Sequence, residues 1–238
     1  MATPELSVVM PVHNEEAAIA LVAGEWVGEV DRLGLDYELV VYDDGSTDAT
    51  AATLERLGRA LPRLVVRSHA NRGHGPTILR GYREARGDWI FQTDSDGEMP
   101  AASLGDLWAE RDGYDVLLGY REGRQTTPIR WIVTQAARSL VQVLFGRRLR
   151  DVNTPFRLMR REAIAPLVAA LPDDCFAPNV ALSGLAARAG LRICERPVPH
   201  GTRRGGRSSL GGRRLRRAAM RSFRQTVVIA LRARGVRR

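Results

Sequence analysis

Short apolar segments alternate with helical patterns through the first hundred residues, and this alternation constrains the fold more than any other feature. Buried strands are indicated at 6–12, 37–42, 64–67 and 89–91, with a helical pattern between each strand and the next. Such spacing is typical of β–α–β units, which build a mostly parallel sheet. The sequence therefore predicts an α/β fold with a mostly parallel central sheet flanked by helices.

The rest of the chain is less regular but contains no clean linker. A loop at 151–157 leads to Leu158 and Met159. Further elements are indicated as a strand at 116–119, helices at 129–145, 161–170 and 179–189, and an extended segment at 191–199. A chain of 238 residues has room for one such domain with a substantial core. We expect a single domain over residues 1–210, followed by a helix at 211–238.

Acidic residues follow three of the four predicted strands. Glu15 comes after the first strand, Asp43 and Asp44 after the second, and Asp94 and Asp96 after the fourth. Ligands of parallel sheets bind beyond the carboxyl ends of the strands. We therefore expect these carboxylates to form one site at that edge of the sheet.

Asp94-Ser95-Asp96, with Glu98 two positions further on, clusters oxygen ligands for a hard divalent cation. Such cations usually bind through one or two carboxylates and substrate phosphates, which suggests a metal that holds the diphosphate of a nucleotide-activated donor. An Asp-x-Asp sequence by itself is more often a turn that caps a helix. The triplet by itself leaves both interpretations open.

Every basic residue is arginine, and the arginines are unevenly distributed. Thirteen of the 36 lie in 203–238, a segment without acidic residues, so the other 23 stand against 27 acidic residues in the body. Leu215, Ala219, Phe223, Val227, Ala230 and Leu231 recur at helical spacing between these tail arginines. The pattern predicts a basic amphipathic helix, either lying on an anionic membrane surface or packed on the body. An acidic body and a single aromatic residue in the tail argue against nucleic acid as a partner.

The expected cellular location of the protein follows from features that its sequence lacks. No apolar run approaches the roughly 18 residues of a membrane span, and no export signal precedes the first strand. The two cysteines, Cys175 and Cys194, make a poor disulfide framework for a domain of this size. We expect a cytoplasmic protein, peripheral on the cytoplasmic face of the membrane if the tail binds lipid.

Several motifs occur along the chain in a recognisable order. They are Val8-Val9-Met10-Pro11-Val12-His13-Asn14-Glu15, Asp43-Asp44-Gly45-Ser46-Thr47-Asp48, Asn71-Arg72-Gly73, Gly81 with Gly87-Asp88, Asp94-Ser95-Asp96, Asp151 with Phe156-Arg157, and Arg203-x-x-Gly206-x-Ser208. Over roughly residues 5–210 the chain resembles the family 2 glycosyltransferases of the GT-A fold, particularly the dolichol- and polyprenyl-phosphate sugar synthases. The resemblance implies one Rossmann-like domain, with a nucleotide-sugar-binding half at 1–100 and an acceptor half at 101–210.

The resemblance also implies roles for individual residues. The catalytic residues would be Asp94, Asp96 and Arg203, and Mg²⁺ or Mn²⁺ would bind Asp94, Asp96 and Glu98, where Glu98 replaces a usual Gln. The donor nucleotide would contact Pro11, Val12, His13, Glu15, Asp43, Asp44, Asn71, Gly73, Asp94 and Ser95. The acceptor phosphate would contact Arg121, Arg130, Thr134, Arg157, Arg203 and Ser208, since the planar guanidinium fork suits phosphate oxygens. The implied reaction is inverting transfer of a sugar from a nucleotide-diphosphate donor to a polyprenyl phosphate.

The acceptor half departs from the synthases, so other functions stay open. Thr154-Pro155 replaces their usual Ser-Gly, and Ser209 replaces a Lys. A hydroxyl acceptor needs a positioned carboxylate as base, but Asn179 stands where such a base is expected, which favours a phosphate acceptor. A soluble enzyme that acts on a hydroxyl would have to use Asp173 or Asp174. A nucleotidyltransferase or nucleotide-binding module lacks the support of a Walker-type phosphate loop, and a non-catalytic basic adaptor is the remaining alternative.

Overall fold

A twisted sheet of seven strands forms the centre of the molecule. The computed structural model describes residues 3–122, 128–202 and 212–233, without the side chains of Arg130 and of residues 212–215. The strands are β1 (Leu6–Val12), β2 (Tyr37–Asp44), β3 (Leu64–His69), β4 (Trp89–Gln92), β5 (Val116–Glu122), β6 (Arg157–Arg160) and β7 (Ile193–Pro199). Their order is β3-β2-β1-β4-β6-β5-β7, and β6 alone among these seven runs antiparallel to its neighbours. The expected mostly parallel α/β sheet is confirmed.

Helices cover both faces of this sheet. They are α1 (Ile19–Arg32), α2 (Thr50–Ala60), α3 (His74–Glu84), α4 (Leu104–Ala109), α5 (Pro128–Phe145), α6 (Arg161–Ala169), α7 (Pro178–Arg188) and α8 (Gly212–Arg232). The sequence pattern predicts all of them except α4. That helix has only six residues, too few to establish a helical period.

The strands place alternate side chains in two separate apolar layers. On β1, Val8 and Met10 belong to one layer, and Val9 belongs to the other. The first layer is built around Trp26, Phe91 and Phe156, whose ring centroids lie 4.7–6.0 Å apart. Because β1 and β4 are buried on both faces, their sequences are continuous apolar runs rather than alternating ones.

The topology determines where a ligand would bind. From β1 the chain proceeds outward to β2 and β3, then returns across β1 to β4. The β1/β4 boundary is therefore a topological switch point, where the crossovers on either side leave a crevice beyond the carboxyl ends of the strands. Two predicted boundaries need correction here. Asp43 and Asp44 are the last residues of β2 rather than its sequel, and Arg157 begins β6 rather than ending a loop.

Candidate active site

The loops that follow β1 and β2 are joined to each other by side-chain hydrogen bonds. The Asn14 Oδ1 accepts a bond from the Thr47 backbone N–H at 2.7 Å, and the Glu15 backbone N–H donates to Thr50 Oγ1 at 2.9 Å. Asn14 has φ of 54°, in the left-handed region that Asn tolerates better than most residues. These contacts make the two loops one wall of the crevice.

The two carboxylates at the end of β2 have different local partners. Asp43 Oδ1 accepts hydrogen bonds from Ser46, at 3.0 Å from the backbone N–H and 2.6 Å from the hydroxyl. Asp44 instead accepts from the backbone N–H groups of Arg72 and Gly73, at 2.7 and 2.9 Å. Asp43 thus shapes its own turn, whereas Asp44 positions the loop between β3 and α3.

Four of the predicted donor residues meet at this point: His13, Asp44, Asn71 and Gly73. The Asp44 carbonyl oxygen lies 3.0 Å from His13 Nδ1, and Asn71 Nδ2 lies 3.4 Å from the same nitrogen. Gly45 allows the approach, because its φ is 67° and a Cβ there would lie 2.7 Å from the Asn71 nitrogen. Pro11, Val12 and Glu15 are buried beside this group at the end of β1.

In the Asp-x-Asp loop, buried and partly exposed side chains alternate as they do along a strand. The Thr93 N–H continues the pairing with β1 by donating to the Val9 carbonyl at 3.1 Å. Ser95 is buried, whereas Asp94 and Asp96 on either side are partly exposed. The Asp96 Oδ1 accepts from the Glu98 N–H at 3.1 Å, across a turn in which Gly97 has φ of 68°. The loop is therefore both a turn of the kind that Asp favours and a presentation of carboxylates toward the crevice.

A small cleft brings the predicted metal ligands together with one predicted acceptor residue. Asp94, Asp96, Glu98, Met99, Arg121 and Pro155 line it. Arg121 is held from behind by Asp151, with Nε and Nη2 donating to the two carboxylate oxygens at 2.7 and 3.0 Å. This bidentate contact fixes the guanidinium plane and leaves its other N–H groups for an anion in the cleft.

His200, directly after β7, is a candidate site residue that the sequence motifs do not indicate. Its Nε2 lies 3.0 Å from Glu98 Oε2, and the next residue, Gly201, donates its N–H to the Glu98 carbonyl at 2.7 Å. Because β7 runs parallel to β5, its carboxyl end lies at the same edge of the sheet as the cleft. Like Glu15 and Asp96, His200 follows a strand of the sheet. Its position after the last extended segment is therefore the sequence signal that could have indicated it.

The donor set fits a hard divalent cation. No group of three or more His, Cys, Asp or Glu side chains in the described ranges is arranged to enclose a metal by itself. Mg²⁺ and its relatives do not need such a cage, since one or two carboxylates plus phosphate oxygens suffice. Two aspartates and a glutamate lining one cleft supply that chemistry.

Arg157 does not line the cleft but lies in the interior. It is 1% exposed, and its guanidinium donates to the backbone carbonyls of Thr154, at 2.7 and 3.0 Å, and of Asn179, at 3.3 Å. Burial lowers the pKa of Arg157 from its ordinary value, an effect that Tyr82, Asp151 and Asp94 partly offset. These partners favour a positioning role beneath the site over direct contact with a phosphate.

The other predicted acceptor residues are less completely described. Thr134 is half-buried on α5, and the backbone of Arg130 lies on the same helix. Arg203 and Ser208 lie outside the described residues.

Two further contacts bear on Asp94 and were not predicted. His74 Nε2, at the start of α3, lies 3.6 Å from Asp94 Oδ1, and Gln92 Nε2 donates to the same oxygen at 3.3 Å. Gln92 belongs to a buried polar group with Tyr82 and Asn179. Nothing in the spacing of these residues along the chain indicates that they meet.

Comparison with known proteins agrees with this geometry. A family model described as glycosyl transferase family 2 matches residues 7–167. The chain belongs to this family. The matched span covers β1 through β6, so it contains the predicted donor residues and the cleft.

The similar curated proteins carry polyprenyl-phosphate names, which confirms the resemblance drawn from the motifs. The chain is 30% identical over 217 residues to undecaprenyl-phosphate 4-deoxy-4-formamido-L-arabinose transferase from Enterobacter sp. (strain 638), and 30% identical over 209 residues to the protein of that name from Edwardsiella ictaluri (strain 93-146). These matches cover 90% and 87% of the chain. They span only 65% and 63% of the two relatives.

Solved structures share the fold at lower identity. Glucosyl-3-phosphoglycerate synthase from Mycobacterium tuberculosis, in complex with Mn²⁺, uridine diphosphate and phosphoglyceric acid, is 23% identical with a TM-score of 0.69, over 99% of this chain and 80% of that one. The S. aureus TarS fragment 1–349 in complex with UDP is 20% identical with a TM-score of 0.59, over 83% and 60% of the two chains. Both support the GT-A architecture expected from the sequence.

Proposed function

We propose that the chain is an inverting glycosyltransferase that moves a sugar from a nucleotide-diphosphate donor to a polyprenyl phosphate. One observation carries the proposal: a single cleft is lined by three carboxylates suited to a metal–diphosphate and by Arg121, an arginine suited to an anionic acceptor. Family membership and the names of the curated relatives point to the same reaction.

The donor nucleotide would occupy the crevice at the ends of β1, β2 and β3. His13, Asp44, Asn71 and Gly73 contact one another there, and Pro11, Val12, Glu15 and Asp43 form the adjoining turns. His74 lies between this group and Asp94, with its Nε2 3.6 Å from the carboxylate. A nucleotide in the crevice would thus have its diphosphate directed toward the Asp-x-Asp loop.

Asp94, Asp96 and Glu98 would hold the divalent cation, Mg²⁺ or Mn²⁺. His200, whose Nε2 lies 3.0 Å from Glu98 Oε2, would be a further ligand. When bound, such a cation neutralises charge on the departing nucleoside diphosphate. The chain's own contribution is to hold the carboxylates at fixed positions, Asp96 through the Glu98 N–H and Asp94 through Gln92.

The acceptor side would depend on Arg121, whose orientation Asp151 fixes. Arg130, Thr134, Arg203 and Ser208 are proposed as further contacts to the acceptor phosphate. Arg157 would act from beneath, because its bonds to Thr154 and Asn179 hold the backbone next to the cleft.

The environment of Asn179, Asp173 and Asp174 favours a phosphate over a hydroxyl as acceptor. Asn179 is buried and hydrogen-bonded at both ends of its amide. Asp173 is 93% exposed and pairs with Arg83, while Asp174 pairs with Arg221 on α8, and neither lines the cleft. A phosphate acceptor is already anionic, so direct displacement with inversion needs no base.

We also propose that the protein acts as a peripheral protein on the cytoplasmic face of an anionic membrane, which α8 contacts through its arginines. Within the described ranges no helix has the length and hydropathy to cross a bilayer. Arginines near anionic headgroups contribute on the order of 1 kcal/mol each.

Incubation with labelled nucleotide sugar followed by lipid extraction tests the acceptor class. Polyprenyl phosphate and the matching polyprenol, which differs only in lacking the phosphate, serve as the paired acceptors. We expect label in the organic phase with polyprenyl phosphate and background with polyprenol. Label with polyprenol, or label confined to the aqueous phase, would contradict a phosphate acceptor. Release of sugar 1-phosphate instead of nucleoside diphosphate would indicate that the nucleotidyl group is transferred, as by a nucleotidyltransferase.

A further inference from the structure

Exposed large apolar side chains are concentrated on two helices. Nine such side chains occur among the described residues, and eight of them lie on α5 or α8, which contact each other. The ninth is Leu21 on α1. Scattered single apolar residues are normal on a protein surface, but a concentration on adjacent elements indicates an interaction site.

The exposed stripe on α5 is uncharged. Ile129, Ile132, Ala136, Ser139 and Val143 follow one another at spacings of three and four, and all five are exposed. A spacing of three or four residues keeps them on one face of the helix. Helix α5 contains no acidic residue at all.

Trp131 lies next to the start of this stripe and is 56% exposed. Tryptophan is the residue most characteristic of the boundary between lipid headgroups and acyl chains, because its ring is apolar and its N–H is polar.

The exposed stripe on α8 interleaves arginine with apolar residues. Arg217, Met220, Arg224, Val228 and Leu231 are exposed at spacings of three and four. The opposite face of the helix buries Thr226, Ile229 and Ala230. Like α5, α8 contains no acidic residue. Arginine side chains lying along apolar neighbours can extend their charged ends to phosphate while their stems cover apolar surface.

We infer that α5 and α8 together form one docking surface for an anionic lipid bilayer, with α5 supplying the apolar contact and α8 the charge. The inference deepens the proposed function, on which it rests. Positive charge without an acidic residue on either helix is complementary to anionic headgroups. A second copy of the chain is a poorer occupant, because a symmetric contact would place the arginines of α8 against one another.

The position of α5 relates this surface to the cleft. Arg121, which lines the cleft, is near the end of β5, and α5 begins at Pro128, seven positions later in the chain. The exposed Ile129, Trp131 and Ile132 are all in the first turn and a half of α5. Docking through this end of α5 would hold the segment that carries Arg121 close to the membrane surface.

Trp131 makes the inference directly measurable. The chain has four tryptophans, and the other three, Trp26, Trp89 and Trp108, are buried. With vesicles of phosphatidylcholine and phosphatidylglycerol, we expect the tryptophan emission to shift to shorter wavelength and to be quenched by brominated acyl chains. Trp131→Phe should remove both responses. An unchanged emission of the wild-type protein, or a response that persists in Trp131→Phe, would overturn the role of α5.

Flotation with the same vesicles, without donor or acceptor, compares matched variants. Ile132→Asp and Leu21→Asp place the same charge at sites with 59% and 55% exposure. We expect Ile132→Asp to weaken vesicle binding at least about tenfold, and Leu21→Asp to have no effect. Equal vesicle binding by the two variants would overturn the inference. So would wild-type binding to pure phosphatidylcholine vesicles that is as strong as to vesicles with phosphatidylglycerol. Concentration-dependent dimers that only Ile132→Asp disrupts would also overturn it.

Vesicle binding without sugar transfer would refute the proposed function and leave the docking surface standing. Transfer to polyprenyl phosphate in detergent without vesicle binding would support the proposed function and refute the docking surface.

Discussion

Asn179 shows at the scale of one residue how the site is built. It stands at the start of α7, where sequence comparison suggests a base, yet its Oδ1 accepts from the Tyr82 hydroxyl at 2.7 Å and its Nδ2 donates to Gln92 Oε1 at 2.9 Å. Gln92 then donates to Asp94 at 3.3 Å. Position 179 therefore orients the first carboxylate of the Asp-x-Asp loop through Gln92.

Tyr82→Phe tests this network. The substitution leaves the buried Asn179 Oδ1 without its donor, so we expect the free energy of unfolding to fall by about 1–2 kcal/mol. Because the Tyr82 hydroxyl then no longer restrains Asn179, at 2.7 Å, or Gln92, at 3.3 Å, the KM for the donor should rise while the fold is kept. Urea unfolding and donor titration at fixed metal concentration measure the two effects.

Tyr42→Phe is the matched control, since that hydroxyl donates to the partly exposed Glu84 at 3.2 Å. Its removal should cost less than about 0.5 kcal/mol and leave the donor KM unchanged. Equal losses in the two variants would contradict a special role for the Tyr82 hydroxyl.

The location of a single residue could be predicted from sequence where a local rule applied. It could not be predicted where tertiary packing determined whether the side chain is buried. Asp96 follows a buried strand, so its place beside Glu98 at the carboxyl edge could be anticipated. Nothing in the sequence around Arg157 distinguishes it from an exposed arginine that could bind a phosphate. Its partners, the carbonyls of Thr154 and Asn179, come together only when β6 and α7 pack, which no spacing in the sequence reveals.

The same limit applies to whole elements. Strands β1 to β4 are recognisable because each contains a short apolar run and helical patterns separate the four runs. Strand β6 has four residues and is antiparallel between β4 and β5. Its pairing partners lie far away in the chain, so its direction and place in the sheet depend on tertiary contacts.

Three elements are joined at the opposite, amino edge of the sheet by a buried carboxylate. Glu38 on β2 accepts from the Ser7 hydroxyl of β1 at 2.6 Å and from Arg86, after α3, at 2.5 and 2.9 Å. Burial alone would raise the pKa of Glu38, but the bonds from Arg86 and Ser7 outweigh it and hold the pKa below its ordinary value of 4.5. This cluster is structural, because the candidate cleft lies at the other end of the strands.

Glu38 should make the stability of the fold sensitive to acid. With a lowered folded-state pKa, its stabilisation is complete above pH 4.5 and is lost as the pH falls below that value. We expect Glu38→Gln to be less stable than wild type at neutral pH, with a difference that shrinks as the pH falls through this range. Urea unfolding at stepped pH measures it.

Glu55→Gln is the control, since the ion pair of Glu55 with Arg59 is exposed on α2. We expect it to change the unfolding free energy by less than about 0.5 kcal/mol at every pH. A stability difference for Glu38→Gln that does not vary with pH would show that the ionised carboxylate is not what the cluster stabilises.

At the scale of the whole molecule, the candidate site and the stabilising ion cluster lie at opposite ends of the strands. The carboxyl edge holds the crevice proposed for the donor and the cleft that the carboxylates and Arg121 line. The amino edge holds the Ser7–Glu38–Arg86 cluster. The α5–α8 surface adds a third region, and its proposed contact with lipid would explain why a chain with an acidic body carries a strongly basic terminal helix.

We propose that sugar transfer to polyprenyl phosphate takes place at the Asp-x-Asp cleft. The most direct measurement is Mn²⁺-dependent incorporation of labelled sugar into extracted lipid by wild type and Asp96→Asn, side by side, with the unfolding temperature of each recorded. We predict that Asp96→Asn lowers incorporation at least about a hundredfold, because it weakens the hold on the cation, while the unfolding temperature is unchanged. Incorporation by Asp96→Asn at the wild-type rate would contradict the account.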